Sequence, residues 1–181
     1  MGNKWTIDKT FSWEMGHRVW TQKLPHAHLS ITTECACKHL HGHSYDLRIF
    51  LSADELDESS MVTDFKNLNF MKEFLDSTLD HRFMIDINDP NFEIITGVDA
   101  NDLGSIVNFV PLSSLLFALA RPVDKNTKLH YDSFVLVNFV PTSENICRYL
   151  AEYAQQSLGD VAKVTAVELW ETKKSHCRYE F

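Results

Sequence analysis

The run His41–Ser52, HGHSYDLRIFLS, decides the fold. His41, His43, Tyr45, Leu47, Ile49 and Leu51 share one parity; Gly42, Ser44, Asp46, Arg48 and Ser52 share the other, and only Phe50 breaks the alternation. A period of two marks a half-buried strand, because successive side chains leave opposite faces of a pleated backbone. Upstream, Trp5, Ile7, Phe11, Trp13, Met15 and His17 keep the same period, with Lys9 the one polar residue among them. Two such strands predict a sheet with one apolar face. Leu24–Cys37, between them, follows neither period and reads as a loop.

Downstream the period becomes helical. Asp64 is placed to cap a helix with the apolar stripe Phe65, Leu68, Met71, Phe74 or Leu75, and Leu79, closed by Asp80-His81. Thr142 or Ser143 would cap a second helix, with Ile146, Tyr149, Leu150, Tyr153 and Leu158 on one side and Gly159 as its stop. Ser133–Val140 (SFVLVNFV) and Val164–Thr172 read as strands, the second carrying Val167, Leu169 and Glu171 on one face; Cys177, Tyr179 and Phe181 alternate to the end. Residues from about 83 to 132 are punctuated by Asp89-Pro90, Gly97, Gly104, Pro111 and Pro122 and never settle into a period, so they form an insertion. The order predicts one α+β domain spanning 1–181, an antiparallel sheet with two helices on one face and a large insertion between the helices.

Composition narrows the function. A chain of 181 residues suffices for one packed domain. Seventeen Lys and Arg against twenty-five Asp and Glu, a net charge of −8 with no basic stretch, argue against a nucleic-acid partner. The longest apolar-rich run, Ile106–Ala120, is broken by Asn108, Pro111, Ser113 and Ser114 and is too short to span a membrane. Met1–Thr10 lacks the apolar core of a signal peptide. Four cysteines make no disulfide framework, and a reduced, cytoplasmic setting is expected.

Nine histidines stand out. His41-Gly42-His43 sets two imidazoles on one side of a strand, about 7 Å apart, and His17 ends the apolar face of the other strand. Three neutral imidazoles from two paired strands suit zinc and leave a fourth position open, the mark of a catalytic site. Each could equally be a satisfied core histidine. Cys37, four residues before His41, would bring a thiol beside such a pocket; it is a base, a fourth ligand closing a structural site, or an inert small residue. Asp80-His81 offers a carboxylate to orient an imidazole for proton transfer, although neighbours in sequence seldom bond each other well. Glu171 is either a rim carboxylate or a buried acceptor for paired N–H donors.

These pieces together resemble the 6-pyruvoyl-tetrahydropterin synthase and 6-carboxytetrahydropterin synthase family. The resemblance lies in FSWEMGHR (Phe11–Arg18), CKHLHGHSY (Cys37–Tyr45), MVTDF (Met61–Phe65), LDH (Leu79–His81), PTSEN (Pro141–Asn145) and WET (Trp170–Thr172), in the family's order. It implies the tunnelling fold, or T-fold, assembled as two trimers paired into a homohexamer. It implies that His17, His41 and His43 are zinc ligands, that Cys37 is the catalytic cysteine, and that Asp80 and His81 complete the proton-transfer group. Glu171 would grip the pterin ring, with Thr142 and Thr172 lining the same pocket. The implied substrate is 7,8-dihydroneopterin triphosphate, whose side-chain hydroxyls zinc would acidify.

Within the family, Cys-x-x-x-His-Gly-His resembles the bacterial branch, which makes 6-carboxytetrahydropterin and releases acetaldehyde and triphosphate on the way to 7-deazaguanines such as queuosine. The 6-pyruvoyl reaction, without side-chain cleavage, and a non-catalytic pterin-binding relative are the alternatives. Two departures from the family stand in this chain. Arg82-Phe83-Met84-Ile85 replaces the usual continuation after Leu79-Asp80-His81, and fifty-seven residues, Met84 to Val140, precede Pro141. The basic residues nearest these motifs in sequence are Arg18, Lys38 and Arg82.

Overall fold

The computed structural model describes residues 4–23, 35–121 and 123–181. Its strands are β1 (Trp5–His17), β2 (His41–Ala53), β3 (Arg82–Asp86), β4 (Val110–Pro111), β5 (Phe134–Val137), β6 (Lys163–Thr172) and β7 (Ser175–Glu180). Its α-helices are α1 (Asn69–Phe74), α2 (Phe92–Thr96), α3 (Leu112–Ala118), α4 (Lys125–Asp132) and α5 (Ser143–Leu158). The strands lie in one sheet in the order β4-β5-β3-β1-β2-β6-β7. The α+β class holds, but the sheet is mixed: β3 runs parallel to both β1 and β5. Most of the expected loop, residues 24–34, lies outside the described residues.

The chain divides into two compact units. The first comprises Met1–Trp13, Ser44–Ser77 and Ser143–Phe181. Here the alternation works as the sequence predicts: Leu47, Ile49 and Leu51 are fully buried and pair across β2 and β6 with Leu169, Val167 and Val164. The step of three from Val164 to Val167 is a β-bulge, one extra residue on β6 that keeps both side chains on the core face. Phe50 points the other way, and the guanidinium groups of Arg48 and Arg178 cover its ring at 4.9 and 4.8 Å.

Asp64 caps its helix by accepting from the Lys66 amide. The segment begins as a 3₁₀ turn (Phe65–Leu68), passes through α1 and ends as a π-turn at Leu75–Leu79. Leu68, Met71, Leu75 and Leu79 are buried, whereas Phe65 is exposed, so the stripe starts one turn later than its spacing predicts. Helix α5 buries Ile146, Cys147, Leu150, Ala151, Ala154 and Leu158 and stops at Gly159, whose φ of +53° suits a residue without Cβ. Its Tyr153 ring meets Phe70 and Phe74, which sets the two helices side by side.

The second unit comprises Glu14–His43 and Thr78–Thr142. The expected insertion supplies most of it. Ile85, Phe92, Val98, Leu103, Leu112, Leu116, Phe134 and Leu136 make its core. Ser133–Val140 shortens to β5, whose four residues are all buried, as befits a strand flanked on both edges. The end of β1 pairs with the start of β3, Met15 opposite Arg82 and Gly16 opposite Phe83.

Candidate functional site

The second unit gathers the three predicted imidazoles. His17 ends β1, and His41 and His43 open β2 two residues apart, so the strand period turns all three rings to one side. Their ring centroids are 4.6, 5.3 and 5.0 Å apart, and one nitrogen of each lies within 4.8 Å of the others. Close approach of the strands permits this. A Cβ at Gly42 would stand 3.0 Å from the Met15 carbonyl oxygen, and one at Gly16 only 2.5 Å from the Phe83 ring.

Hydrogen bonds set the tautomers. Nδ1 of His17 lies 2.7 Å from the Pro141 carbonyl, and Nδ1 of His41 lies 2.8 Å from the His39 carbonyl. A carbonyl only accepts, so each Nδ1 carries the proton and each Nε2 keeps its lone pair. The His41 Nε2 is buried without a hydrogen-bond partner. Burial pushes the His17 imidazole down to about pH 4, outweighing the Pro141 bond, so it is neutral at pH 7. Neutral, oriented imidazoles with enclosed lone pairs are the donor set of a divalent metal. The cluster could hold a metal ion, and among the described residues no thiol or carboxylate is grouped with it.

Cys37 sits in a short 3₁₀ turn, Ala36–Lys38, and not in an extended entry to β2. The Cys37 carbonyl accepts from the Val19 amide at 2.8 Å, which ties the cysteine's turn to the segment just beyond His17.

Asp80 and His81 do bond, contrary to the expectation for sequence neighbours: His81 Nδ1 lies 2.9 Å from Asp80 Oδ2. His81 leaves the π-turn in the left-handed region, at φ +58°, and this departure from helical geometry lets the two side chains meet. The peptide of Glu14 clamps the pair, its N–H donating to Asp80 Oδ1 at 3.0 Å and its carbonyl accepting from the His81 amide at 2.8 Å. The Glu14 N–H first, and His81 second, hold the Asp80 carboxyl below the usual carboxylate range. Such left-handed non-glycine backbone and π-turns recur at functional sites.

Thr142 follows Pro141 in the same unit, its amide bonded to the Val140 carbonyl at 2.8 Å. Glu171 and Thr172 belong to the other unit. Trp170 pairs with His176 and Thr172 with Ser175, so Glu171 is the extra residue of a second β6 bulge, beside a Trp170–His176 stack of 3.9 Å. The strict alternation through Val167 and Leu169 gives no sign of this bulge.

Sequence reasoning also missed the main-chain carbonyls of His39 and Pro141 and the Glu14 peptide; backbone groups carry no residue-type signal. It missed two buried carboxylates, Asp86 and Asp89, as partners of Trp20 and Arg18. Their only sequence sign was an Asp-x-x-Asp ahead of Pro90.

Comparison with known proteins assigns the family. The family model for 6-pyruvoyl tetrahydropterin synthase matches residues 6–181. A 6-carboxy-5,6,7,8-tetrahydropterin synthase of Aquifex aeolicus is 32% identical over 186 residues, covering 98% of each chain. One from Haemophilus influenzae is 26% identical, covering 96% of this chain and 97% of its own. Among solved structures, an uncharacterized protein of Wolinella succinogenes superposes with a TM-score of 0.85 at 36% identity, over 98% of both chains. The 6-pyruvoyl tetrahydropterin synthase of Caenorhabditis elegans, with a TM-score of 0.58 at 22% identity over 99% and 97% of the chains, shares the fold. With its sequence matched almost end to end and its T-fold shared, the chain belongs to the 6-pyruvoyl tetrahydropterin synthase family.

Proposed function

We propose that this protein is a zinc-dependent 6-carboxy-5,6,7,8-tetrahydropterin synthase, converting 7,8-dihydroneopterin triphosphate and one water to 6-carboxytetrahydropterin, acetaldehyde and triphosphate in 7-deazaguanine (queuosine) biosynthesis. The observation that carries it is the convergence of His17, His41 and His43 in one unit with Cys37 and the Asp80–His81 pair. The Aquifex aeolicus relative, so named, supports the 6-carboxy branch, as does the Cys-x-x-x-His-Gly-His spacing. A cytoplasmic homohexamer without nucleic-acid or membrane partners completes the reading; among the described residues no helix is long and apolar enough to cross a membrane.

Zinc, held by the three imidazoles, would supply Lewis acidity toward the substrate's side-chain oxygens. Cys37, as thiolate, takes a proton from a side-chain carbon. Asp80 accepts from His81 Nδ1 and so leaves Nε2 free to carry a second proton, while triphosphate departs by elimination. The two oxygens of Glu171 accept paired N–H bonds from the aminopyrimidine edge and fix the ring, and the hydroxyls of Thr142 and Thr172 are further hydrogen-bonding groups for the substrate.

The test is incubation of zinc-loaded protein with 7,8-dihydroneopterin triphosphate, trapping of aldehyde as a hydrazone, and identification of the pterin by mass. Acetaldehyde in step with 6-carboxytetrahydropterin is expected. A pyruvoyl product retaining all three side-chain carbons would move the chain to the other branch, and no conversion would make it a non-catalytic pterin binder.

A further inference from the structure

Residues 18–20 form a short strap between the two halves of the candidate chemistry. His17 precedes it, and the amide of its middle residue, Val19, holds the Cys37 carbonyl. The strap has no side chain in the metal cluster, so its place must be fixed by what it touches.

Two carboxylates at the end of β3 fix it. Asp86, 2% exposed, accepts from the Trp20 indole N–H at 2.9 Å through Oδ2. Its Oδ1 accepts from the amide and the side-chain amide of Asn88, both at 2.9 Å, so both oxygens are committed. Asp89, 4% exposed, faces Arg18, with Nε to Oδ2 3.1 Å apart, a buried ion contact without aligned hydrogen-bond geometry. Its other oxygen accepts from the Asn91 amide at 2.9 Å. The turn is itself anchored, since Asp89 N–H donates to the Asp86 carbonyl and Ile87 N–H to Val137 on β5.

Buried carboxylates are costly unless they are paired. Spending two of them on residues 18 and 20, either side of the amide that holds Cys37, is a positioning arrangement. We propose that Asp86 and Asp89 are positioning residues for the reaction, acting through the Arg18–Val19–Trp20 strap to set Cys37 against the metal cluster. The insertion thereby acts as a buttress to the site. A sub-ångström slip between thiol and cluster is enough to cost rate without costing substrate affinity.

This inference rests on the reading of Cys37 and the three histidines given above, and its test separates the two. Trp20→Phe removes the indole donor but keeps a ring, Asp86→Asn turns a donor toward donors, and Asp89→Asn removes the charge facing Arg18. Asp102→Asn, which breaks an exposed ion pair with Arg121 elsewhere in the insertion, is the control. Three readouts are taken on zinc- or cobalt-loaded full-length protein folded by circular dichroism. They are the iodoacetamide alkylation rate of Cys37 by peptide mass, the visible spectrum of the cobalt form, and kcat and KM for 7,8-dihydroneopterin triphosphate.

The expected result is a change of about threefold or more in Cys37 alkylation and a fall of about tenfold in kcat, with KM within twofold and the control unchanged. Asp89→Glu, which restores the charge, should recover part of the loss. Unchanged alkylation and an unchanged cobalt spectrum, with only a lower urea midpoint, would overturn the proposal in favour of a purely structural role. If the wild type fails to turn over the pterin, the functional reading fails, and the alkylation rates still decide this one.

Discussion

Three imidazoles at 4.6–5.3 Å between centroids make a metal centre only if their lone pairs are aimed inward, and the carbonyl acceptors of His17 and His41 aim two of them. His41→Ala or His43→Ala should therefore abolish most metal content by elemental analysis, while His130→Ala and His176→Ala leave it intact. Full retention in a His41/His43 double variant would end the metal hypothesis. The buried His17 adds a pH signature. The unfolded chain protonates it at 6.5, and the native chain resists until about 4, so its contribution to stability is complete above pH 6.5 and is lost as pH falls toward 4. The difference is on the order of 3 kcal/mol in the metal-free protein. Urea midpoints of chelated wild type should fall more between pH 7 and 4.5 than those of His17→Asn; parallel losses would refute it. Cys37 is the complementary case. If it is a base and not a ligand, Cys37→Ala keeps the metal and the fold and loses most turnover, whereas loss of metal would make the site a closed structural one. The sequence showed these side chains because their type and period are informative. It did not show the His39 and Pro141 carbonyls that fix the tautomers, because every residue carries the same group.

Elements were legible in proportion to how one-sided their burial is. β1 buries one face from Phe11 to His17 and β2 from Tyr45 to Leu51, and a period of two over that length is hard to mistake. β5 has four residues, all buried, and α2 five, so neither presents enough turns or alternations to read. The two β6 bulges, at Thr165 and Glu171, each add a residue that a strict period of two does not anticipate. Glycine is the element-level feature with a consequence for the site. Gly42 lies between two of the clustered histidines where β1 passes so near that a Cβ would meet the Met15 oxygen at 3.0 Å, with the Gly16 Cα at 3.5 Å behind it. Backbone cannot swing aside as a flexible side chain does. Gly42→Ala should cost about 1–3 kcal/mol by overpacking and loosen metal binding measurably in competition with a chromophoric chelator. Wild-type affinity in the alanine variant would show that the strands have room to part.

On the scale of the whole molecule, the residues proposed for metal holding and proton transfer and the one proposed for ring binding fall in different units. The imidazoles, Cys37, Asp80 and His81 belong to one, and Glu171 to the other, on a bulge in the β6–β7 hairpin. A division of this kind predicts separable defects. Glu171→Gln changes one acceptor oxygen into an amide donor, so one of two substrate N–H groups would face another donor. That mismatch costs about 1–3 kcal/mol when buried, about a tenfold rise in KM, while every group proposed to hold the metal or move a proton is left in place. Metal content, the cobalt spectrum and the Cys37 alkylation rate should therefore match wild type, and kcat at saturating substrate should fall far less than kcat/KM. An unchanged KM would make Glu171 a rim carboxylate. A lost metal or an altered cobalt spectrum would mean that Glu171 does more than bind the ring.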